Sequence, residues 1–170
     1  DLVFVYDTPD FEALSDGEKN FTASVYYNRL AQRLVNALSA LGPGGRLYEV
    51  DTRLRPSGKQ GLLAVSFAAV RHYFTEMAWT FEFMALTKAR VAVGDAALGA
   101  ELSLYLKETL STARDAAKLR SDIVDLRERI GREHDAANPW DIKYARGGLM
   151  DLDFLAEYLL LLHGAGRLAS

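Results

Sequence analysis

The run LVFVY at Leu2–Tyr6, closed by Asp1 and Asp7, does most to limit what this chain can fold into. An uninterrupted apolar stretch rich in β-branched and aromatic residues, with acids at both ends, has the composition of a buried strand. Such a strand needs a neighbour, because its backbone donors and acceptors must be paired once water is excluded. A strand this close to residue 1 usually has a lead-in, so the expectation is a chain that starts in the middle of a domain. The run RLYEVDTRL, from Arg46 to about Leu54, reads as a second strand. LLAV at 62–65 is either a short third strand or the approach to a helix.

The rest of the chain separates strands from helices. Residues 7–20 are polar, contain Pro9 and Gly17, and read as a loop. Val25, Leu30, Leu34, Val35, Leu38 and Leu41 recur at helical spacing, which predicts a helix over 21–41 that the GPGG of Gly42–Gly45 stops. RPSGKQG at 55–61 breaks the second strand, and Ser66 is an N-cap candidate for a helix beginning at Phe67. Further helices are predicted over 79–93, ended by Gly94, over 96–111 and over 116–133. HDAANPWD at 134–141 is a loop, and IKYARGG at 142–148 is a short extended piece. A strongly apolar last helix is expected over 150–163, ending at Gly164. Strands gathered early and helices late predict an α+β domain over 1–95 followed by a helical domain over 96–170, the latter also cut short.

Composition excludes several classes. The 170 residues carry 20 Lys and Arg against 23 Asp and Glu, a net charge of −3, which argues against a general nucleic-acid binder. The absence of cysteine rules out disulfides and thiolate metal sites. His72, His134 and His163 are scattered, so a zinc site is not expected. No apolar run reaches the ~18 residues of a membrane span. No signal peptide is visible, and a cytoplasmic protein is the expectation.

The charged run suggests the chemistry. If YEVDTRLR is a strand, Glu49, Asp51, Arg53 and Arg55 share one face. Four charges in a row need water, mutual pairing or a ligand. One reading is an exposed sheet face with cross-strand ion pairs. The other pairs Asp1 with Asp51 on adjacent strands as hard oxygen ligands for two Mg²⁺ ions ~3.5–4 Å apart, with Arg53 and Arg55 on a triphosphate. Other features carry less. His134 beside Asp135 reads as a surface loop. GPGG, RGG and GKQG do not form a phosphate-binding loop of the G-x-x-x-x-G-K-[ST] type. Trp79, Phe81, Phe83 and Met84 read as core. Glu82 and Lys88 are either a buried structural pair or nucleotide contacts.

Four blocks, DLVFVYD, YEVDTRLRPSGKQGLL, EFMALTKARVAVGD and DIKYARGGLMDLDFLAEYL, together resemble the glutamine-synthetase adenylyltransferase family and cover nearly the whole chain. The wording YEVDTRLRPSG resembles its C-terminal, adenylylating half, whereas the adenylyl-removing half reads more like V-D-M-R-L-R-P-F-G. The resemblance implies a polymerase-β-type nucleotidyltransferase fold, truncated at its N-terminus, followed by an α-helical domain. It implies a Mg²⁺-dependent transfer of AMP from ATP to a tyrosine hydroxyl of glutamine synthetase, with release of pyrophosphate. This transfer lowers synthetase activity in nitrogen metabolism, under regulation by glutamine and the PII signalling protein.

Asp1 matches the second aspartate of the family's S-D-x-D pattern, the first being absent from this sequence, and Asp51 matches the third carboxylate. The resemblance therefore makes Asp1 and Asp51 catalytic metal ligands, with Asp51 on the ion that activates the incoming tyrosine or itself taking the tyrosine's proton. Arg53, Arg55, Lys59 and Lys143 become candidate nucleotide-binding residues. Glu49, Asp151 and Asp153 are candidate supporting acids; helix capping is the alternative for the last two. Two other readings stay open: the adenylyl-removing half, and a non-catalytic regulatory fragment. Without the leading aspartate, the 170-residue piece is expected to be inactive or nearly so.

Overall fold

The computed structural model describes residues 1–46, 48–134, 138 and 140–167. They form two compact units, Asp1–Met77 and Ala78–Ser170. The expected division at 95/96 thus differs from the observed one. The helix Thr80–Leu86 (α3) buries Met84 in the core of the second unit, so the segment just before residue 95 packs with the later helices.

In the first unit, β1 (Phe4–Tyr6) pairs in parallel with β4 (Ala64–Ser66), Phe4 opposite Ala64 and Tyr6 opposite Ser66. Parallel neighbours need a long crossover. Here it contains α1 (Ala23–Leu38), whose Ala31 is buried with Tyr6 and Ala64. The Tyr6 and Tyr27 rings stack with centroids 4.5 Å apart, adding an aromatic contact to this small core. Asn28 of α1 also holds β4: its Oδ1 accepts from Leu63 N (2.7 Å) and Ala64 N (3.1 Å), and its Nδ2 donates to Ala64 O (3.1 Å). Ser66 caps α2 (Phe67–Glu76) as expected, its hydroxyl accepting from Ala69 N.

The strand expected from 46 to about 54 does not form among the described residues; Leu47 lies outside them. A short hairpin takes its start instead, β2 (Leu41–Gly42) against β3 (Gly45–Arg46). Beyond it, side chains bond to their own backbone: Asp51 accepts from the Arg53 amide and Arg55 donates to Thr52 O. Such local bonds compete with a sheet ladder. The alternation of Glu49, Asp51, Arg53 and Arg55 on one strand face is therefore not realised.

The second unit is helical: α3, α4 (Ala96–Ser111), α5 (Ala116–Glu133) and α6 (Leu149–Arg167). Asp95 and Asp115 cap α4 and α5 through their carboxylates. Met84, Leu119, Ile123 and Leu161 form the core, with Phe83, Leu110, Phe154 and Tyr158 against it. The helix expected over 79–93 ends at Leu86, where the Thr87 hydroxyl donates to Met84 O (2.7 Å) and short turns continue the chain. The β-branched Val91 and Val93 favour the extended chain beyond. Trp79 (72% exposed) lies outside the core, unlike Met84.

Gly164 does not end α6. An added Cβ there would lie 2.9 Å from Leu110 O, so the glycine serves close packing of α6 on α4. The segment expected to be extended before α6 is instead a set of turns: Ala145 N donates to Asp141 O, and Gly148 N to Ala145 O. Gly147 takes φ 75°, a conformation that favours glycine. The loop expected over 134–141 lies partly outside the described residues, including Asp135.

Candidate functional site

Asp1 and Asp51 stand on adjoining segments, because Leu2 N donates to Asp51 O at 2.8 Å. It is a single backbone hydrogen bond between the two segments, where a strand ladder was expected. Asp1 and Glu49 are exposed, and Asp51 is half-buried. The Asp51 carboxylate accepts from Arg53 N (2.8 Å) and Arg53 Nε (2.7 Å to Oδ2), and is ion-paired with Arg53 Nη2. The Arg53 side chain and then its backbone N–H hold the Asp51 carboxyl well down, at about 2.

Arg55 is committed to its own loop. Nη1 donates to Thr52 O (2.5 Å) and Thr52 Oγ1 (3.1 Å), and Nη2 to Gly61 O (3.3 Å). The loop it ties is tight. Ser57 sits at φ 62°, a left-handed conformation uncommon for serine, and a Cβ at Gly61 would run into Pro56 O. Lys59 stands exposed on the short 3₁₀ turn Gly58–Gln60.

The remaining candidates lie in the second unit. Asp151 is a structural tie: Arg127 Nε pairs with its Oδ1, and its Oδ2 accepts from Gly147 N at 2.6 Å. Arg127 Nη2 also donates to Tyr144 O (2.9 Å), so one guanidinium fastens the turn at 141–148 to the start of α6. Arg127 foremost holds the Asp151 carboxyl below its ordinary range. Asp153 pairs with Lys88 (3.2 Å), which also reaches the buried Glu157 (2.8 Å). Lys88 is thus engaged in ion pairs, while Glu82 Oε2 accepts from Trp79 N. Lys143 is exposed, with Nζ 4.9 Å from the Tyr144 ring centroid; that ring stacks on His134 at 3.8 Å.

Asn28, Arg127 and Glu157 were not singled out from the sequence. An asparagine inside a helical pattern is a weak hint, since it is a poor helix former. Nothing local marks Arg127 or Glu157, whose partners are distant in sequence.

Among the described residues, no three acid or histidine side chains are grouped to hold a metal. Asp1 and Asp51 do supply hard oxygen donors on adjoining segments, and Mg²⁺ commonly takes one or two carboxylates with substrate phosphate and water. The donor chemistry therefore fits Mg²⁺, provided Arg53 yields the Asp51 oxygens. Arg53 can move, its side chain being 65% exposed.

These features define an α+β unit that carries acids and arginines on adjoining segments, joined to a helical unit. The family described as glutamate-ammonia ligase adenylyltransferase matches residues 1–104, and the chain belongs to that family. Three relatives carry the name bifunctional glutamine synthetase adenylyltransferase/adenylyl-removing enzyme. The one from Bradyrhizobium diazoefficiens is 41% identical over 96% of this chain and 16% of its own length. The Agrobacterium fabrum protein is 44% identical over 95% and 16%, and that of Xanthobacter autotrophicus 42% over 98% and 17%. The chain thus spans about a sixth of these relatives. No described helix is long and apolar enough to cross a membrane.

Proposed function

We propose that the chain is part of the adenylylating half of a cytoplasmic enzyme that transfers AMP from ATP to a tyrosine hydroxyl of glutamine synthetase and releases pyrophosphate. Its first unit would be the core of a polymerase-β-type nucleotidyltransferase domain. The relatives' names and the wording of the YEVDTRLRPSG block support this reading. The observation that supports it is the Leu2–Asp51 backbone bond, which joins the segments that carry Asp1 and Asp51. Glutamine and the PII protein would act through the longer enzyme.

In this reading Asp1 and Asp51 would hold Mg²⁺, two ions with the help of substrate oxygens. Bound there, the ions would supply Lewis-acid stabilisation of charge at phosphorus. Asp51, held at about 2, is a weak base but a permanently ionised ligand at neutral pH, so the ligand role suits it better than proton abstraction. Arg53 and Lys59 would contact the triphosphate, Arg53 giving up its pairing with Asp51. Arg55 shapes the loop that presents them. Lys143 is the nucleotide contact proposed for the helical unit, while Asp151 and Asp153 fasten its architecture.

The test is AMP transfer from labelled ATP to glutamine synthetase by the full-length protein carrying Asp51→Asn. Loss of transfer with an unchanged thermal transition is expected; near-normal turnover would overturn the assignment. The relatives' bifunctional name keeps the adenylyl-removing reading as the second. Release of ADP from adenylylated synthetase and phosphate, without AMP transfer from ATP, would favour it.

A further inference from the structure

Asp51 and Arg53 are two residues apart, and their pairing uses nothing outside the segment 51–53. Arg53 N and Nε donate to Asp51 Oδ1 at 2.8 and 3.0 Å. Nε also donates to Oδ2 at 2.7 Å, and Nη2 is ion-paired with Oδ2. Both carboxylate oxygens are therefore engaged by one residue. A carboxylate has about four lone-pair sites, and a guanidinium fork takes the same in-plane directions from which the oxygens would ligate a cation. Arg55, two residues further on, is committed to Thr52 and Gly61 instead.

A divalent cation and a guanidinium thus compete for the same oxygens, and their like charges repel when both are held there. The guanidinium needs another anion if it is to leave without loss. A phosphate accepts the same two-pronged pairing as a carboxylate, so a triphosphate is an equivalent partner. The Arg53 side chain is 65% exposed, and it can swing between the two without repacking a core.

We propose that Arg53 is a latch on Asp51, which closes the carboxylate to divalent cations until a polyphosphate draws the guanidinium away. The proposal rests on the reading of Asp51 as a Mg²⁺ ligand and of Arg53 as a triphosphate contact, and adds the coupling between the two. Such coupling is reciprocal: whatever the nucleotide does for the affinity of the cation, the cation does for that of the nucleotide. In the nucleotide-free enzyme Asp51 is a poor cation ligand, and it becomes a good one once ATP is bound.

The test uses the full-length enzyme with Mn²⁺ as the cation probe, free Mn²⁺ being read by electron paramagnetic resonance without nucleotide. Arg53→Gln removes the guanidinium, and Mn²⁺ should then bind about tenfold more tightly than in the wild type. Lys59→Gln removes one charge from the same segment and should leave Mn²⁺ affinity within about twofold, because an exposed charge is screened. That control separates release of the latch from a general loss of positive charge. With EDTA present, Arg53→Gln should bind ATP about tenfold more weakly by isothermal titration calorimetry. A residue that only shapes its loop would weaken both ligands or neither. Unchanged or weaker Mn²⁺ binding in Arg53→Gln, an equal gain in Lys59→Gln, or wild-type affinity of Arg53→Gln for metal-free ATP would overturn the latch. Asp51→Asn keeps two failures apart. If it leaves Mn²⁺ binding unchanged, the metal-ligand reading itself fails, and the latch with it. If it lowers Mn²⁺ binding while Arg53→Gln changes nothing, the reading stands and the latch alone falls.

Discussion

Arg53 meets Asp51 with three donors, its backbone N, Nε and Nη2. The Asp51 carboxyl falls to about 2 from its ordinary 3.8, chiefly through the guanidinium and next through the amide. A carboxyl depressed in the folded state stabilises that state above its ordinary pKa, and the benefit fades as pH falls from about 4 toward 2. Arg53→Gln removes the larger cause and keeps the amide. The Asp51 carboxyl should then titrate partway back toward 3.8, read from its carboxyl carbon shift by NMR, and the acid limb of the stability curve should flatten. An unmoved titration would show that Arg53 is not what holds it down.

Asn28 offers β4 a side-chain amide in place of another strand. Asn28→Ala removes the partners of Leu63 N, Ala64 N and Ala64 O in a part-buried setting. Orphaned polar groups of this kind cost about 1–3 kcal/mol. Urea unfolding should show a loss in that range, and the amides of Leu63 and Ala64 should exchange faster with deuterium. Unchanged protection of those two amides would remove Asn28 from the account of the sheet.

Gly61 closes the RPSGKQG turn against Pro56 O, a backbone atom that cannot rotate away. Gly61→Ala should destabilise by about 1–3 kcal/mol, as overpacking does elsewhere. In the full-length enzyme it should raise the KM for ATP, because the loop carrying Arg55 and Lys59 shifts. Wild-type stability with wild-type KM would mean that the turn relaxes freely.

Lys88 bridges Asp153 and the buried Glu157, while its own side chain is 57% exposed. Lys88→Met leaves Glu157 without that cation and should cost about 1–3 kcal/mol in urea unfolding. Adding Glu157→Leu should recover most of the loss, since an apolar pair can replace a buried ionic one. A double variant no more stable than Lys88→Met would contradict this.

Much of the helical architecture was legible in the sequence. Apolar spacing located α1; α4 and α5 were also read as helices, α6 was read from its apolar composition, and Ser66 was readable as a cap because a hydroxyl before a helix has one obvious donor to satisfy. The strand through Asp51 was misread because alternation presumes a ladder, and nothing in the letters reveals that Asp51 and Arg55 bond locally instead. Gly164 was read as a stop because a glycine ending a helix and a glycine admitting a neighbouring carbonyl look alike in sequence. Met84 showed that α3 has a core position, but not which core. Within the candidate site, the residue types were legible through the motif blocks. The engagement of Arg55 with Thr52 and Gly61, and of Asp151 with Arg127, depends on loop closure and helix packing that no spacing rule encodes.

The parallel pairing of Phe4 with Ala64 has a consequence for how the first unit comes into being. On a ribosome adding ~5–20 residues per second, β1 emerges seconds before β4 exists to meet it. During that interval β1 lacks β4 as its neighbour, and an unpaired apolar strand edge is a recognised hazard. Closing so long a crossover also makes the pairing a non-local, slow event. Nascent chains of this kind therefore have reason to need a holdase until Ser66 has cleared the exit tunnel.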